Sequence, residues 1–178
     1  MVTGKKFAEQ AKSSKYDNIK YSSCDCQAFV EKVLYDSGCR KADGTAYNWK
    51  GSNSMWRNAL SWKGTLEECK AKYGKIPDGA WVFNVRFDGG EKEKGYNDNQ
   101  GNAYHVGIYV GDDQTRDSTR ISGKRDGVGY RPLKEWNRIG LCKYLDYTGT
   151  NKDNKTEAKE IIDIFRAMLD ELERMITG

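Results

Sequence analysis

The sequence is poor in histidine and proline, and it has no long apolar segment. Its 178 residues include one histidine, His105, and two prolines. A single imidazole leaves any Cys–His chemistry with only one candidate base. No run of residues approaches the ~18 apolar residues that a membrane-spanning helix needs. We therefore expect no insertion into a membrane.

Cysteine is present in an odd number, which argues against a disulfide framework. The five cysteines are scattered at positions 24, 26, 39, 69 and 142, a pattern that fits a reducing compartment. Cys24 and Cys26 are separated by one residue, but the chain lacks the second ligand pair that a zinc site requires. We therefore expect neither a structural metal nor a cofactor.

Charge is spread unevenly along the chain. The net charge is +4, and 37% of the residues are hydrophobic, which suits a polar protein with one core. Residues 148–178 contain five basic and seven acidic side chains, so the tail carries −2 and the body +6. A mildly basic body suits an anionic polymer as partner. Because no basic stripe with interleaved aromatic residues is present, we do not expect nucleic-acid binding.

Helix-like segments come first and strand-like segments follow, which predicts an α+β fold with helices packed on an antiparallel β-sheet. The interval between residues 87 and 104 is a polar loop rich in Gly and Asn, and its length is typical of a functional lid or a mobile excursion. Apolar spacing and capping residues predict four helices, over 3–14, 26–36, 52–60 and 65–73. Apolar and alternating runs predict five strands, over 80–87, 104–110, 115–121, 127–131 and 141–147.

The end of the chain is predicted to be a separate element. Residues 148–156 have the polar composition of a linker, so that residues 1–147 form one domain. In 157–178, apolar residues recur at alternating steps of three and four, which predicts an amphipathic helix with a heptad seam. This helix either docks on the body or mediates self-association or partner binding. The seam consists of Ala158, Ile161, Phe165, Met168, Leu172 and Met175.

Cys26 and His105 form the candidate reactive pair, because Cys26 begins the second predicted helix and His105 lies in the second predicted strand. A helix N-terminus and a neighbouring imidazolium lower the pKa of a cysteine from ~8.5 toward roughly 3.5–7.5. A third group must fix the tautomer of the base. Asp117 on the next strand is our choice, with Ser118 and Thr119 as alternative acceptors. Backbone N–H groups at the helix start would form an oxyanion hole.

The remaining cysteines fit a structural role. Free cysteine commonly behaves as a small buried apolar residue. We expect this of Cys39, Cys69 and Cys142, none of which lies at a predicted helix start.

Three blocks of the sequence resemble the NlpC-type family of cell-wall cysteine peptidases. Residues 25–30, Asp-Cys-Gln-Ala-Phe-Val, look like the family's Asp-Cys-Ser-Gly-Phe/Leu-Val signature. Residues 77–83, Pro-Asp-Gly-Ala-Trp-Val-Phe, resemble its Gly-Asp-Leu-Val-Phe-Phe segment. Residues 101–111, Gly-Asn-Ala-Tyr-His-Val-Gly-Ile-Tyr-Val-Gly, resemble its His-Val-Gly-Ile-Tyr-x-Gly block. The aromatic-rich close over 132–144 is similar to that of phage and prophage members.

This resemblance implies a papain-like fold and hydrolysis of an amide bond in the stem peptide of bacterial peptidoglycan, usually between D-glutamate and the following diamino acid. Cys26 would be the nucleophile that forms a thioester, and His105 the general base. Asp117 takes the third position. In some members, residues that match Asp25 and Tyr21 help to hold the free amine of the stem peptide.

The chain departs from the family pattern immediately after the nucleophile. Gln27 and Ala28 stand where the family has Ser-Gly, so Gln27 is a candidate for substrate contacts of its own. Neither the long polar loop nor the C-terminal helix belongs to the minimal domain of the family.

The resemblance also implies where such an enzyme acts. The N-terminal segment lacks the apolar stretch of a secretory signal. We therefore expect synthesis in a bacterial cytoplasm and action on the wall after export, lysis or virion delivery, as for a phage or prophage lysin. Two alternatives stay open. A Cys–His pair also serves an acyltransferase or amidase, and a non-catalytic wall-binding or virion structural module assembled by the C-terminal helix would need no reactive pair.

Overall fold

The structure is a computed structural model that describes residues 1–148, 162–169 and 174–175. The chain divides into two compact units, Met1–Tyr147 and Thr148–Gly178. Within the described residues, no helix combines the length and the apolar character needed to cross a membrane.

Helices dominate the first half of unit Met1–Tyr147 and strands dominate the second. The helices are α1 (Gly4–Ala11), α2 (Cys26–Asp36), α3 (Ser52–Asn58), α4 (Leu66–Tyr73) and α5 (Glu91–Lys94), with 3₁₀ turns at Ser14–Tyr16 and Leu133–Glu135. The strands are β1 (Val2–Thr3), β2 (Leu60–Gly64), β3 (Trp81–Arg86), β4 (Asn102–Gly111), β5 (Gln114–Ile121), β6 (Arg125–Pro132), β7 (Arg138–Cys142) and β8 (Leu145–Asp146).

Six of these strands form one antiparallel sheet in the order β2-β7-β3-β4-β5-β6. The two short strands β1 and β8 form a separate parallel pair. Helices combined with an antiparallel sheet agree with the predicted α+β class.

Three of the helices, α1, α2 and α4, begin after a residue whose side chain accepts a hydrogen bond from a backbone N–H of the first turn. The Asp25 carboxylate accepts a hydrogen bond from the backbone N–H of Ala28 at 2.8 Å, and Thr3 caps α1 in the same way. Helix α4 begins with a capping box, in which Thr65 and Glu68 each bond the other's backbone N–H. Because helix ends otherwise leave these donors unpaired, the caps fix where each helix starts.

Two apolar clusters cover the two faces of the sheet. The first contains buried side chains of α1, α2 and α3, and the second contains Cys69 of α4 together with Trp136. Strand β4 contributes to both, because successive side chains of a strand point to opposite faces. Val106 and Ile108 belong to the first cluster and Tyr109 to the second.

The structure differs from the prediction at the edge of the sheet. The prediction extends the third helix to residue 60, whereas α3 ends at Asn58 and the unpredicted strand β2 begins at Leu60. The predicted strand over 141–147 is divided between β7 and β8. The first difference arises because β2 pairs with β7, and the second because β8 pairs with β1 instead, both contacts between distant parts of the sequence.

The polar loop between β3 and β4 is fastened to α3. It contains the short helix α5, and its last two residues belong to β4. The Arg57 guanidinium donates to both carboxylate oxygens of Asp98, at 2.6 and 2.9 Å, and to the carbonyl of Gly101 at 2.8 Å. The ring of Tyr96 lies 3.8 Å from the same guanidinium. The C-terminal half of the loop is therefore held in place.

The described part of the C-terminal segment is helical, as predicted for 157–178. Residues 162–169 and 174–175 are in helix, and the seam residues among them, Phe165, Met168 and Met175, are 62%, 58% and 67% exposed. Self-association through this segment stays a prediction. The predicted linker from residue 149 onward and the seam residues Ala158, Ile161 and Leu172 lie outside the described residues.

Candidate active site

Cys26 lies at the N-terminus of a helix that contacts the strand of the only histidine. It is the first residue of α2, and Asp25 before it is the N-cap. The residue is 8% exposed, and the backbone N–H groups of Gln27 and Val106 lie close enough to its thiol to lower the thiol pKa. Because Val106 follows His105 in β4, the sulfur lies against the backbone beside the imidazole.

The sheet opens at the point where α2 meets it. Strands β4 and β5 are paired near their shared turn, but they are not paired at Val106 and Ser118. There, the Val106 N–H lies near the Cys26 thiol and lowers its pKa, and the Ser118 hydroxyl donates to the carbonyl oxygen of Cys24. The start of α2 thus replaces the hydrogen bonds that would continue the ladder between the two strands.

His105 and Asp117 are joined across this opening. The imidazole Nε2 lies 2.6 Å from Oδ2 of Asp117, and the carboxylate is fully buried. A carboxylate can only accept a hydrogen bond, so Nε2 carries the proton of the neutral imidazole. Nδ1 then keeps its lone pair and is the nitrogen available to take a proton from a thiol.

The three residues predicted to be catalytic therefore lie in one site. The Asp117 carboxylate is close enough to the Cys26 sulfur to affect the pKa of the thiol. In the described part of the chain, no hydrogen bond joins Cys26 directly to His105. Hydrogen bonds between catalytic pairs are commonly long before substrate binds.

Burial keeps the Cys26 thiol protonated. It is the largest effect and raises the pKa from the ordinary 9.0 to about 11. The negative charges of Asp25 and Asp117 also raise the pKa, whereas the backbone N–H groups of Val106 and Gln27 lower it. The predicted lowering of the Cys26 pKa is therefore wrong in direction, because loss of hydration outweighs the helix start.

The imidazole is held flat against an indole. The rings of His105 and Trp136 are stacked, with centroids 5.1 Å apart and an interplanar angle of 7°. Trp136 is fixed by a 2.8 Å hydrogen bond from its Nε1 to the hydroxyl of Thr115. Gly107 leaves room for this stack, since a Cβ there would lie 2.9 Å from the indole and 3.0 Å from Cβ of Asp117.

Two arginines of β6 accompany the buried carboxylate. Arg125 Nη2 lies 2.7 Å from Oδ1 of Asp117, and Arg131 Nη2 lies 3.9 Å from Oδ2. A fully buried carboxylate needs such partners, because removing it from water is costly. Asp117 therefore receives positive charge from β6 and a hydrogen bond from the imidazole.

Asp25 directly precedes Cys26, and Tyr21 lies within electrostatic range of both residues, while binding of a substrate amine by either side chain stays a prediction. Asp25 is exposed, and its carboxylate caps α2. Burial raises the pKa of Tyr21, and the nearby charges of Cys26 and Asp25 raise it further. The Arg120 guanidinium lies 5.7 Å from the tyrosine ring. Tyr21 is thus near enough to Cys26 and Asp25 for their charges to act on its hydroxyl.

Gln27 holds the segment that follows α2 in sequence. Its side-chain amide donates to the carbonyl oxygen of Trp49 and accepts from the backbone N–H of Gly51 at 2.5 Å. It also donates to Glu31 at 2.9 Å, and Glu31 accepts from the Trp49 N–H at 2.5 Å. Both the donor and the acceptor of the amide are engaged in positioning this loop, and substrate contact by Gln27 stays a prediction.

The alternative acceptors on β5 have other roles or positions. Ser118 is on the opposite sheet face from Asp117, where its hydroxyl bonds the segment before Cys26. Thr119 is half-buried and pairs with Gly127 in register. Asp117 is the one of the three β5 candidates that hydrogen-bonds His105.

Sequence reasoning missed the residues that surround the base. Arg125, Arg131 and Trp136 reach it only because β6 pairs with β5 and the following 3₁₀ turn returns to the sheet. The predicted pair of adjacent strands was the available signal, but strand register decides which side chains meet.

A comparison with models of protein families finds no match for the chain, and a search of curated proteins finds no matching relative.

Proposed function

We propose that this chain is a cysteine hydrolase in which Cys26 is the nucleophile and His105 the general base. One observation carries the proposal. The Nε2 atom of the only imidazole is held by Asp117 at 2.6 Å, and the thiol at the start of α2 lies near the backbone N–H of Val106, the residue that follows His105. A nucleophile, a base and an orienting carboxylate in one site is the arrangement of covalent acyl-transfer catalysis.

The reaction starts from a neutral thiol, because burial disfavours the thiolate. Nδ1 of His105 takes the proton as Cys26 attacks the carbonyl carbon of the substrate. The imidazolium then protonates the leaving amine, the C–N bond breaks, and a thioester remains. Water activated by the same imidazole hydrolyses the thioester and restores the thiol. Backbone N–H groups at the start of α2 would stabilise the oxyanion.

The proposed fold is papain-like and the proposed substrate is the peptidoglycan stem peptide. The support is the resemblance over 25–30, 77–83 and 101–111, together with a helix start packed on an antiparallel sheet. The net charge of +6 on the body also suits the anionic bacterial wall. The expected bond is the amide between D-glutamate and the diamino acid, as for a phage or prophage lysin.

Recognition of the stem peptide would use its free amine. Asp25 directly precedes Cys26 and is exposed, and its charge is close enough to the Tyr21 hydroxyl to raise the pKa of Tyr21. A carboxylate is the natural partner of an ammonium group. This placement would select substrates whose amine is a fixed distance from the scissile bond.

The test is digestion of purified cell wall by the full chain. We expect loss of turbidity and release of soluble peptides, whose masses identify the bond that is cut. Cys26→Ala should abolish both while the protein stays folded. Cys69→Ala is the matched control, because it removes a buried thiol of α4, a helix that carries none of the three candidate catalytic residues.

Three results would point elsewhere. Digestion by Cys26→Ala at the wild-type rate would exclude the proposed nucleophile. Products that carry an added amine in place of water would identify an acyltransferase on the same site. Wall binding without cleavage would favour the structural module.

A further inference from the structure

The hairpin of β5 and β6 brings an arginine to the far side of the Asp117 carboxylate. His105 uses oxygen Oδ2, at 2.6 Å, whereas Arg125 donates from Nη2 to Oδ1 at 2.7 Å. Arg131 lies farther away, with its Nη2 3.9 Å from Oδ2. Arg125 is thus the close partner of the oxygen that the imidazole does not use.

A glycine provides the space for this contact. Gly129 is the register partner of Asp117 across the two strands. A Cβ at Gly129 would lie 2.7 Å from both Cδ and Nη1 of Arg125, so the arginine side chain passes directly over this position. The guanidinium also donates to the carbonyl oxygen of Tyr130 at 3.0 Å, which fixes its plane.

The charge of Arg125 suits a base that must stay neutral. Asp117 is fully buried, and a buried carboxylate needs a compensating positive charge. If His105 alone supplied that charge, the site would favour the imidazolium, which cannot accept the thiol proton. Because a guanidinium never loses its proton in a protein, Arg125 supplies the charge permanently.

We infer that Arg125 is a positioning residue for the general base, an inference that rests on the proposed function. It holds Asp117 so that Oδ2 accepts the Nε2 proton of neutral His105. Nδ1 is then presented to Cys26. Without the Arg125 contact to Oδ1, the Asp117 carboxylate turns toward Arg131. Arg131 then competes with His105 for Oδ2.

The test uses the fact that the chain has one histidine. In ¹⁵N-labelled full-length protein, the two nitrogen resonances of the neutral ring report which nitrogen carries the proton. The variants are Arg125→Gln, which removes the contact, and Gly129→Ala, which displaces the arginine while keeping its charge. Arg125→Lys keeps the charge without the fork, and exposed Lys124→Gln is the matched control for loss of one charge in the same turn.

We expect the wild type and Lys124→Gln to hold the proton on Nε2. In Arg125→Gln and Gly129→Ala, the proton should be shared between Nδ1 and Nε2 of His105. Both variants should have a kcat about tenfold lower with KM unchanged, the order of loss found when a residue that supports a functional side chain is removed. Arg125→Lys should restore part of the preference for the proton on Nε2 and part of the wild-type kcat.

A folded Arg125→Gln protein with the wild-type tautomer and rate would overturn the inference. A Gly129→Ala protein in which Arg125 is displaced but the tautomer and the rate are those of the wild type would also overturn the inference. The tautomer needs no substrate, so it decides the role of Arg125 even where the wild type digests no wall. Failure of the proposed hydrolysis and failure of this inference are thus separate results.

Discussion

The pH dependence of Cys26 alkylation tests the central electrostatic feature of the site. Only the thiolate reacts with iodoacetamide, and burial raises the pKa of Cys26 to about 11 from 9.0. At pH 7 the thiolate fraction of the folded protein is then about 10⁻⁴, against about 10⁻² for an ordinary thiol. We therefore expect alkylation about a hundredfold slower than in the same protein unfolded in urea.

The raised pKa determines the pH at which the alkylation rate stops rising. Below pH 9 the rate should rise tenfold per pH unit in both states. The unfolded protein should level off near pH 9, whereas the folded protein should keep rising toward pH 11. Salt screens the Asp25 and Asp117 charges, but it does not change burial, which is the largest cause of the raised pKa. Added salt should therefore reduce the difference in alkylation rate between the folded and the unfolded protein only slightly.

The assay is peptide mass spectrometry of samples quenched at a series of pH values. Cys24 lies in the same tryptic peptide, so a Cys24→Ser background makes the peptide report Cys26 alone. A plateau below pH 8 in the folded protein would refute the reasoning. It would show that a thiolate–imidazolium pair with His105 exists before substrate binds, and that burial does not control the resting state.

Two further changes separate the stack around the base from the loop beside the nucleophile. Gly107→Ala places a Cβ 2.9 Å from Trp136, so it should displace the indole from the imidazole. The hydrolysis rate should fall at least tenfold while the chain stays folded. Tryptophan fluorescence measures the displacement and wall digestion the rate, and an unchanged rate would contradict the role of the stack. Gln27→Ala removes the hydrogen bonds of the amide to the Trp49 carbonyl and to the Gly51 N–H, two groups that then keep only their 3.1 Å bond to each other. Loss of these two bonds should lower the free energy of unfolding by about 1–3 kcal/mol. Urea denaturation measures it, and an unchanged midpoint would contradict the structural role of the amide.

The helix that carries the nucleophile could be predicted from the sequence because its signals are local. Asp25 as N-cap, the apolar spacing within the helix and Gly38 after its end all lie within a few residues of one another. The predicted bounds and the observed bounds of α2, Cys26–Asp36, are the same. The signals of α4 are local in the same way, since Thr65 is its N-cap and Gly74 its C-cap. Local physics therefore placed the thiol, though not its state of ionisation.

The environment of the nucleophile depends on contacts that no local pattern contains. The pKa of Cys26 is raised by burial that α2 acquires only when it packs on β4. A helix start lowers a thiol pKa when the sulfur is also hydrated. Here, the backbone N–H groups of Gln27 and Val106 do not compensate for the lost water. A helix-start rule thus predicts the position of a reactive thiol but fails on its charge where the thiol is buried.

The orientation of His105 depends on an irregularity of β4. The alternation over Tyr104–Val110 reads as a regular strand, yet the pairing of β3 with β4 shifts between Asn84 and Val85, which leaves Tyr104 as an extra residue. As a result, Ala103 and Val106 both belong to the first apolar cluster although they are three residues apart. A bulge of this kind re-aims the following side chains.

The same irregularity connects the base to the opening in the sheet. Beyond the bulge, His105 and Gly107 lie on the face that carries Trp136, while the Val106 N–H is free to bond the thiol. If β4 stayed paired with β5 at this point, that N–H would be used in the ladder and Cys26 would have no place beside the imidazole. The separation of two strands, which no periodicity in the sequence encodes, is therefore what makes the candidate site.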